Sequence, residues 1–252
     1  MRRSEARCQC LFSCPSPPLP GKAFCAQHTK VCPRKAPLSG AEPKYEPLRW
    51  IDDVICKTHN CFMYALNIQD PKQIEECMKD ADCNLPFHQP GSISGYPRFN
   101  DVDPKSCPNM IARVIADNPT ITPTSFELRC GRGKSKIALI VDEDQDYHFL
   151  RQDSSGYFSQ KSGSLPVTNL DAQGHEIFDV QLANHNWSGR GDPLYYDRFC
   201  GYFCVPRDKP LYVKKGGVRM TRRRPSRQRR SRSQTQPLVA PSQKQSQRLC
   251  RR

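Results

Sequence analysis

Apolar residues recur with helical and then with strand spacing only between Trp50 and Pro206. That confines any sizeable core to the middle of the chain, because segments without periodic apolar residues cannot bury enough surface to offset the entropy of ordering. Residues 1–49 hold eight prolines and five cysteines and show no periodicity. Residues 209–252 hold few apolar side chains, fifteen basic residues and no acidic one, and read as a disordered basic tail. The expected organisation is a Cys/Pro-rich segment at 1–49, a folded domain at 50–208 and the tail at 209–252.

Within the domain, "CFMYALNIQD" reads as a short helix with Asn60 as N-cap and Pro71 beyond its end. "DPKQIEECMKDA" (70–81) and "PNMIARVIADN" (108–118) read as two more helices, separated by the Gly/Pro/Ser loop at 89–101. Strand signals follow: "KIALIVDE" (136–143), the hairpin "YHFLRQ"/"GYFSQK" around "DSS", two short pieces in "PVTNLDAQGHEIFDV", and "RFCGYFCVPR" (198–207). Helices followed by an antiparallel sheet predict an α+β domain. "GRGKSK" (131–136) lacks the spacing of a phosphate loop and reads as a basic turn before a strand.

The net charge of +14 misdescribes the body: residues 50–208 hold fifteen basic against twenty-two acidic residues, and the positive charge sits in the tail. No run approaches the roughly 18 apolar residues needed to span a bilayer, so no membrane partner is expected. "MRRSEARCQC" has positive residues without an apolar stretch behind them, so a secretory signal is not expected. On that reading the fourteen cysteines are reduced thiols, some on metal, and the chain works inside a cell (host cytoplasm or nucleus) or within a virion.

Cys61, one step past the cap, is a candidate nucleophile, because a helix N-terminus and a nearby imidazolium both favour thiolate. His148 in "DYHF" is the candidate acid/base, on one strand face with Asp146 and Leu150. With "DSS" (153–155) as a three-residue loop, residue 152 pairs with 156 and His148 lies opposite Gln160, which can accept the ring N–H and set the tautomer; another loop length shifts that pairing by one or two residues. The oxyanion would sit at the Cys61 backbone N–H and the Asn60 amide. His59 reads as a cap or surface residue and His88 as a possible cleft residue. Cys200 and Cys204, at i and i+4 of a strand, would share one face as small hydrophobes. Cys56, Cys77, Cys83, Cys107 and Cys130 have no readable partners.

Several of these motifs, in order, resemble one family. "NCFMYALN", "QPGSISG", "DYHFLRQDSSGYFSQKSG", "PVTNLDAQGHEI" and "FCGYFCVP" are similar to NlpC-type, papain-like proteins of large DNA viruses and bacteria. The resemblance covers roughly 56–206. It implies a papain-like fold with Cys61 as nucleophile, His148 as base and Gln160 as third member, where the family pattern has His. Phe158 stands where the pattern has Trp, and Ser162 where it has Pro. The implied activity is amide hydrolysis (peptide, isopeptide or peptidoglycan-type) through a thioester. The alternative is an inert papain-like scaffold in a nucleic-acid-binding or virion structural protein.

Two further features lie outside the domain. Cys10, Cys14, Cys25 and His28 have the C-x3-C-x10-C-x2-H spacing of a closed, structural zinc site, with Cys8 and Cys32 able to replace any ligand. The tail carries Arg222, Arg223, Arg224, Arg227, Arg229, Arg230 and Arg232 among Ser, Gln and Pro. It suits salt-sensitive phosphate-backbone binding to nucleic acid, or a nuclear address.

Overall fold

The structure, a computed structural model, describes residues 7–12, 14–32, 34–80, 82–83, 85–99, 104–188 and 193–212. The arginine arm from Arg222 to Arg232 lies outside the described residues.

Among the described residues four α-helices precede a six-stranded antiparallel sheet, as the order of sequence patterns predicts. The helices are α1 (Asp53–Thr58), α2 (Cys61–Leu66), α3 (Pro71–Lys79) and α4 (Cys107–Asp117). The strands are β1 (Thr122–Thr124), β2 (Lys134–Asp142), β3 (Asp146–Gln152), β4 (Phe158–Lys161), β5 (Val167–Thr168) and β6 (Arg198–Pro206), in the order β1-β6-β2-β3-β4-β5. The basic turn at Gly133 does lead into β2, with positive φ.

α2 is shorter than its sequence pattern because Asn67 turns left-handed (φ 59°) and closes it on the Met63 and Tyr64 carbonyls. Six residues are too few for a helix to persist alone. All six side chains are buried, and α2 is held by packing such as Phe62 on Phe149. α1, capped by Asp52, has no counterpart in the sequence reading.

The sheet is covered on both faces. Ile137, Leu139, Val141, Tyr147, Phe149, Phe203 and Val205 pack with α2 and α4. Ala138, Ile140, Leu150, Phe158 and Tyr202 point the other way, toward Ala23, Ala36, Ile177, Phe178 and Tyr196. The N-terminal segment therefore lies on the second face. Gln9 pins it there, its Oε1 accepting from the Phe178 and Asp179 amides at 2.6 and 2.9 Å.

Two expectations about cysteine are overturned. The thiols are not generally reduced: Cys10–Cys32, Cys77–Cys83, Cys107–Cys200 and Cys130–Cys204 are disulfides among the described residues. Cys200 and Cys204 also do not share a face. Gly201 has φ 136°, and the β2–β6 register slips between Leu139 and Ile140. One extra residue in a period-two strand exchanges its faces. Cys200 thus packs on the helical side and reaches Cys107 of α4, while Cys204 follows Tyr202 and bonds Cys130.

Candidate active site and metal centre

Asn60 stands where the chain enters α2. Its Oδ1 accepts from the Met63 amide at 3.2 Å, and its Nδ2 donates to the His88 carbonyl at 3.0 Å. Both bonds fix the first turn and so the position of Cys61. The Cys61 Sγ lies 3.9 Å from the Tyr147 carbonyl, against β3 one residue from His148.

The hairpin turn is longer than the sequence suggests: Asp153 and Tyr157 close it, and Gln152 pairs with Phe158. Gln160 therefore faces Leu150 rather than His148. A shift of two residues keeps the face, and a diagonal neighbour remains within reach of a long side chain. Gln160 Oε1 lies 2.8 Å from His148 Nε2, and Gln160 Nε2 donates to the Leu170 carbonyl at 2.7 Å. The second bond sets the first: with its amino group on a carbonyl, Gln160 presents oxygen to the ring, so Nε2 carries the hydrogen and Nδ1 the lone pair. Tyr196 stacks on the ring at 5.3 Å and donates its hydroxyl to Asp146 at 2.9 Å. Nothing in its sequence context marked Tyr196, because it comes from an irregular stretch before β6.

Cys61, His148, Asn60 and Asp146 line one cleft of about 440 Å³, with Phe99, Arg98 and Lys105 among its other walls. Burial pushes the Cys61 thiol up to about 12, with the Asp146 carboxylate adding to the rise. Burial likewise holds His148 down to about 3. The resting cleft holds a neutral thiol and a neutral imidazole, not an ion pair.

The other two histidines near the cysteine have different places. His59 is the C-cap of α1 and fully buried, its Nδ1 2.6 Å from Thr58 Oγ1 and its Nε2 accepting from the Asp70 amide. His88 does not line the cleft with its neighbours Phe87 and Gln89; its ring meets Asp70 at 3.1 Å.

A second cluster lies in the N-terminal segment. Donor atoms of Cys8, Cys14, Cys25 and His28 all lie within 4.8 Å of one another. Cys10, expected as a ligand, is bonded to Cys32, and Cys8 takes its place; the change is corrected by pairing that spacing could not reveal. Cys14 Sγ is 3.8 Å from Cys25 Sγ, and His28 Nδ1 is 3.3, 3.6 and 3.4 Å from the sulfurs of Cys8, Cys14 and Cys25. Metal–sulfur bonds of about 2.3 Å directed to tetrahedral corners give edges of about 3.8 Å, so this donor set fits a tetrahedral ion. The Cys25 amide donates to the Cys8 sulfur at 3.4 Å, orienting it from outside.

Among the described residues no helix is long and apolar enough to cross a membrane. No family model matches the chain. No solved structure matches it either. Insoluble matrix shell protein 1 of Ruditapes philippinarum is 30% identical to it over 141 residues, which is 56% of this chain and 80% of that protein. The chain belongs to the family of this insoluble matrix shell protein.

Proposed function

We propose that the cleft is a papain-like thiol site that cleaves or transfers an acyl group from an amide through a Cys61 thioester. The observation that carries this reading is the locked tautomer of His148, whose unprotonated Nδ1 belongs to a strand residue flanking the Cys61 contact. Cys61 would attack the carbonyl as His148 Nδ1 takes the thiol proton. The Cys61 backbone N–H, with the second hydrogen of Asn60 Nδ2, would face the oxyanion. His148 would then protonate the leaving amine, and water or a second amine would release the acyl group.

The test is iodoacetamide alkylation of the native, disulfide-bonded chain, mapped by peptide mass between pH 5 and 9, with an activated acyl ester to trap the thioester. The reading expects an acyl adduct on Cys61 that is lost in His148→Ala. Equal adduct formation in wild type and His148→Ala would sink it.

Cys8, Cys14, Cys25 and His28 are proposed to hold structural zinc. Three thiols, two of them 3.8 Å apart, stay unpaired in a chain that forms disulfides elsewhere, which a bound cation explains by occupying their lone pairs. A closed site of four protein ligands has no open position for catalysis.

A second reading, a structural role outside the cell with the cleft unused, is favoured by the disulfides, which persist in oxidising compartments. The name of the relative, an insoluble matrix shell protein, supports the same setting. It predicts that Cys61→Ala leaves the assembled state of the chain unchanged.

A further inference from the structure

Asn186-Trp187-Ser188 has the spacing of an acceptor for N-linked sugar: an asparagine, a residue other than proline, then a hydroxyl residue. Spacing alone is a weak signal; the structure adds what the three side chains do. Trp187 packs against the core on the second face of the sheet. Ser188 is exposed and Asn186 half-buried. Asn186 Oδ1 accepts from the Ser188 amide at 3.1 Å and from the Ser188 hydroxyl at 2.6 Å, which closes an Asx turn. The Asn186 amide donates to Asn184 Oδ1 at 2.8 Å. All of these bonds are local, so the turn does not depend on distant packing. With Oδ1 engaged, Nδ2 is the free end of the side chain. Among the described residues it meets no acceptor, and it is not one of the buried unpaired atoms.

The neighbourhood has room for a sugar. Tyr195 stands opposite Asn186 across an antiparallel bridge. The Trp187 amide donates to the Leu194 carbonyl at 3.0 Å, and the Tyr196 amide to the His185 carbonyl at 3.3 Å. Asn186 and Tyr195 are therefore a non-hydrogen-bonded pair, whose side chains approach on one face. Tyr195 is exposed, and its ring offers a first sugar an apolar surface beside Nδ2. Asn118-Pro119-Thr120 is the contrasting case. Proline stands between, and Asn118 is buried with both ends of its amide bonded to the Tyr212 backbone, at 3.0 and 2.9 Å. The disulfides fit the compartment in which such transfer takes place, since they form and persist in the secretory lumen.

We propose that Asn186 is an N-glycosylation site, its Nδ2 receiving an oligosaccharide from a lipid-linked glycosyl diphosphate. A bond forms between Nδ2 and the anomeric carbon, and the bond from that carbon to the diphosphate oxygen breaks. Nδ2 loses one proton, and the lipid diphosphate leaves; nothing is oxidised or reduced. The site is independent of the thiol-site reading and shares with the extracellular reading only the compartment.

The experiment is peptide mass mapping of the full chain, secreted from eukaryotic cells behind a cleavable leader, before and after peptide N-glycosidase in heavy-oxygen water. The expected result is a glycan on the peptide holding Asn186, replaced after treatment by heavy-oxygen-labelled aspartate at that position, with Asn118 unmodified. Asn186→Gln and Ser188→Ala should lose the glycan, and Ser188→Thr should keep it. The deciding measurement is on wild type, so it does not hang on the folding of a variant. A wild-type chain with its disulfides formed and Asn186 bare would overturn the proposal and leave the extracellular reading standing. A bare Asn186 together with free thiols throughout would overturn both.

Discussion

Acidifying the protein from pH 7 to pH 5 destabilises it through His148. The ring titrates near 6.5 in an unfolded chain and is held down to about 3 by burial in the folded one. Below pH 6.5 the unfolded chain takes up a proton at this position that the native chain does not, so stability falls with acid until about pH 3. For one such group the loss between pH 7 and 5 is about 2 kcal/mol, and across the whole window about 5 kcal/mol. The assay is urea unfolding of wild type and His148→Gln at both pH values. Glutamine keeps a donor for Gln160 and does not titrate, so other titrating groups, including His59 (down to about 4), cancel in the difference. Wild type should lose about 2 kcal/mol more than the variant over this interval. An equal loss in both would refute the buried, neutral state of His148.

Three other outcomes follow from the architecture. The Cys107–Cys200 bridge spans 93 residues and encloses β1 to β5, so Cys107→Ser with Cys200→Ser should lower unfolding stability by about 4 to 5 kcal/mol on a chain-entropy basis, measured by urea titration of the folded double variant. Removing metal with a chelator should expose Cys8, Cys14 and Cys25 to maleimide and release about one zinc per chain by mass spectrometry; thiols equally reactive before and after chelation would count against the site. Deleting residues 214–252 should abolish nucleic-acid binding whose affinity falls steeply with salt, measured by fluorescence anisotropy.

The two parts of the site were legible to different degrees. Asn60 and Cys61 were readable because a cap and the first turn of a helix are local chemistry. The partnership of His148 and Gln160 survived a hairpin turn longer than expected, since a two-residue shift returns every side chain to its face. Tyr196 was not legible. Its relevance comes from the His148 ring that lies against it, and no periodicity encodes that.

Local order, namely helices before strands, the apolar faces and the cap at Asn60, is determined by the sequence alone, because each depends on residues within a few positions of one another. The cysteines show the opposite case. Fourteen of them offer many pairings, and proximity in space chose among them: Gly201 turned Cys200 toward α4 and left Cys204 for Cys130, and the Cys10–Cys32 bridge passed the fourth ligand position to Cys8. A bond between distant residues forms only where the finished packing brings their Cα atoms within about 7 Å, and that condition belongs to the tertiary structure.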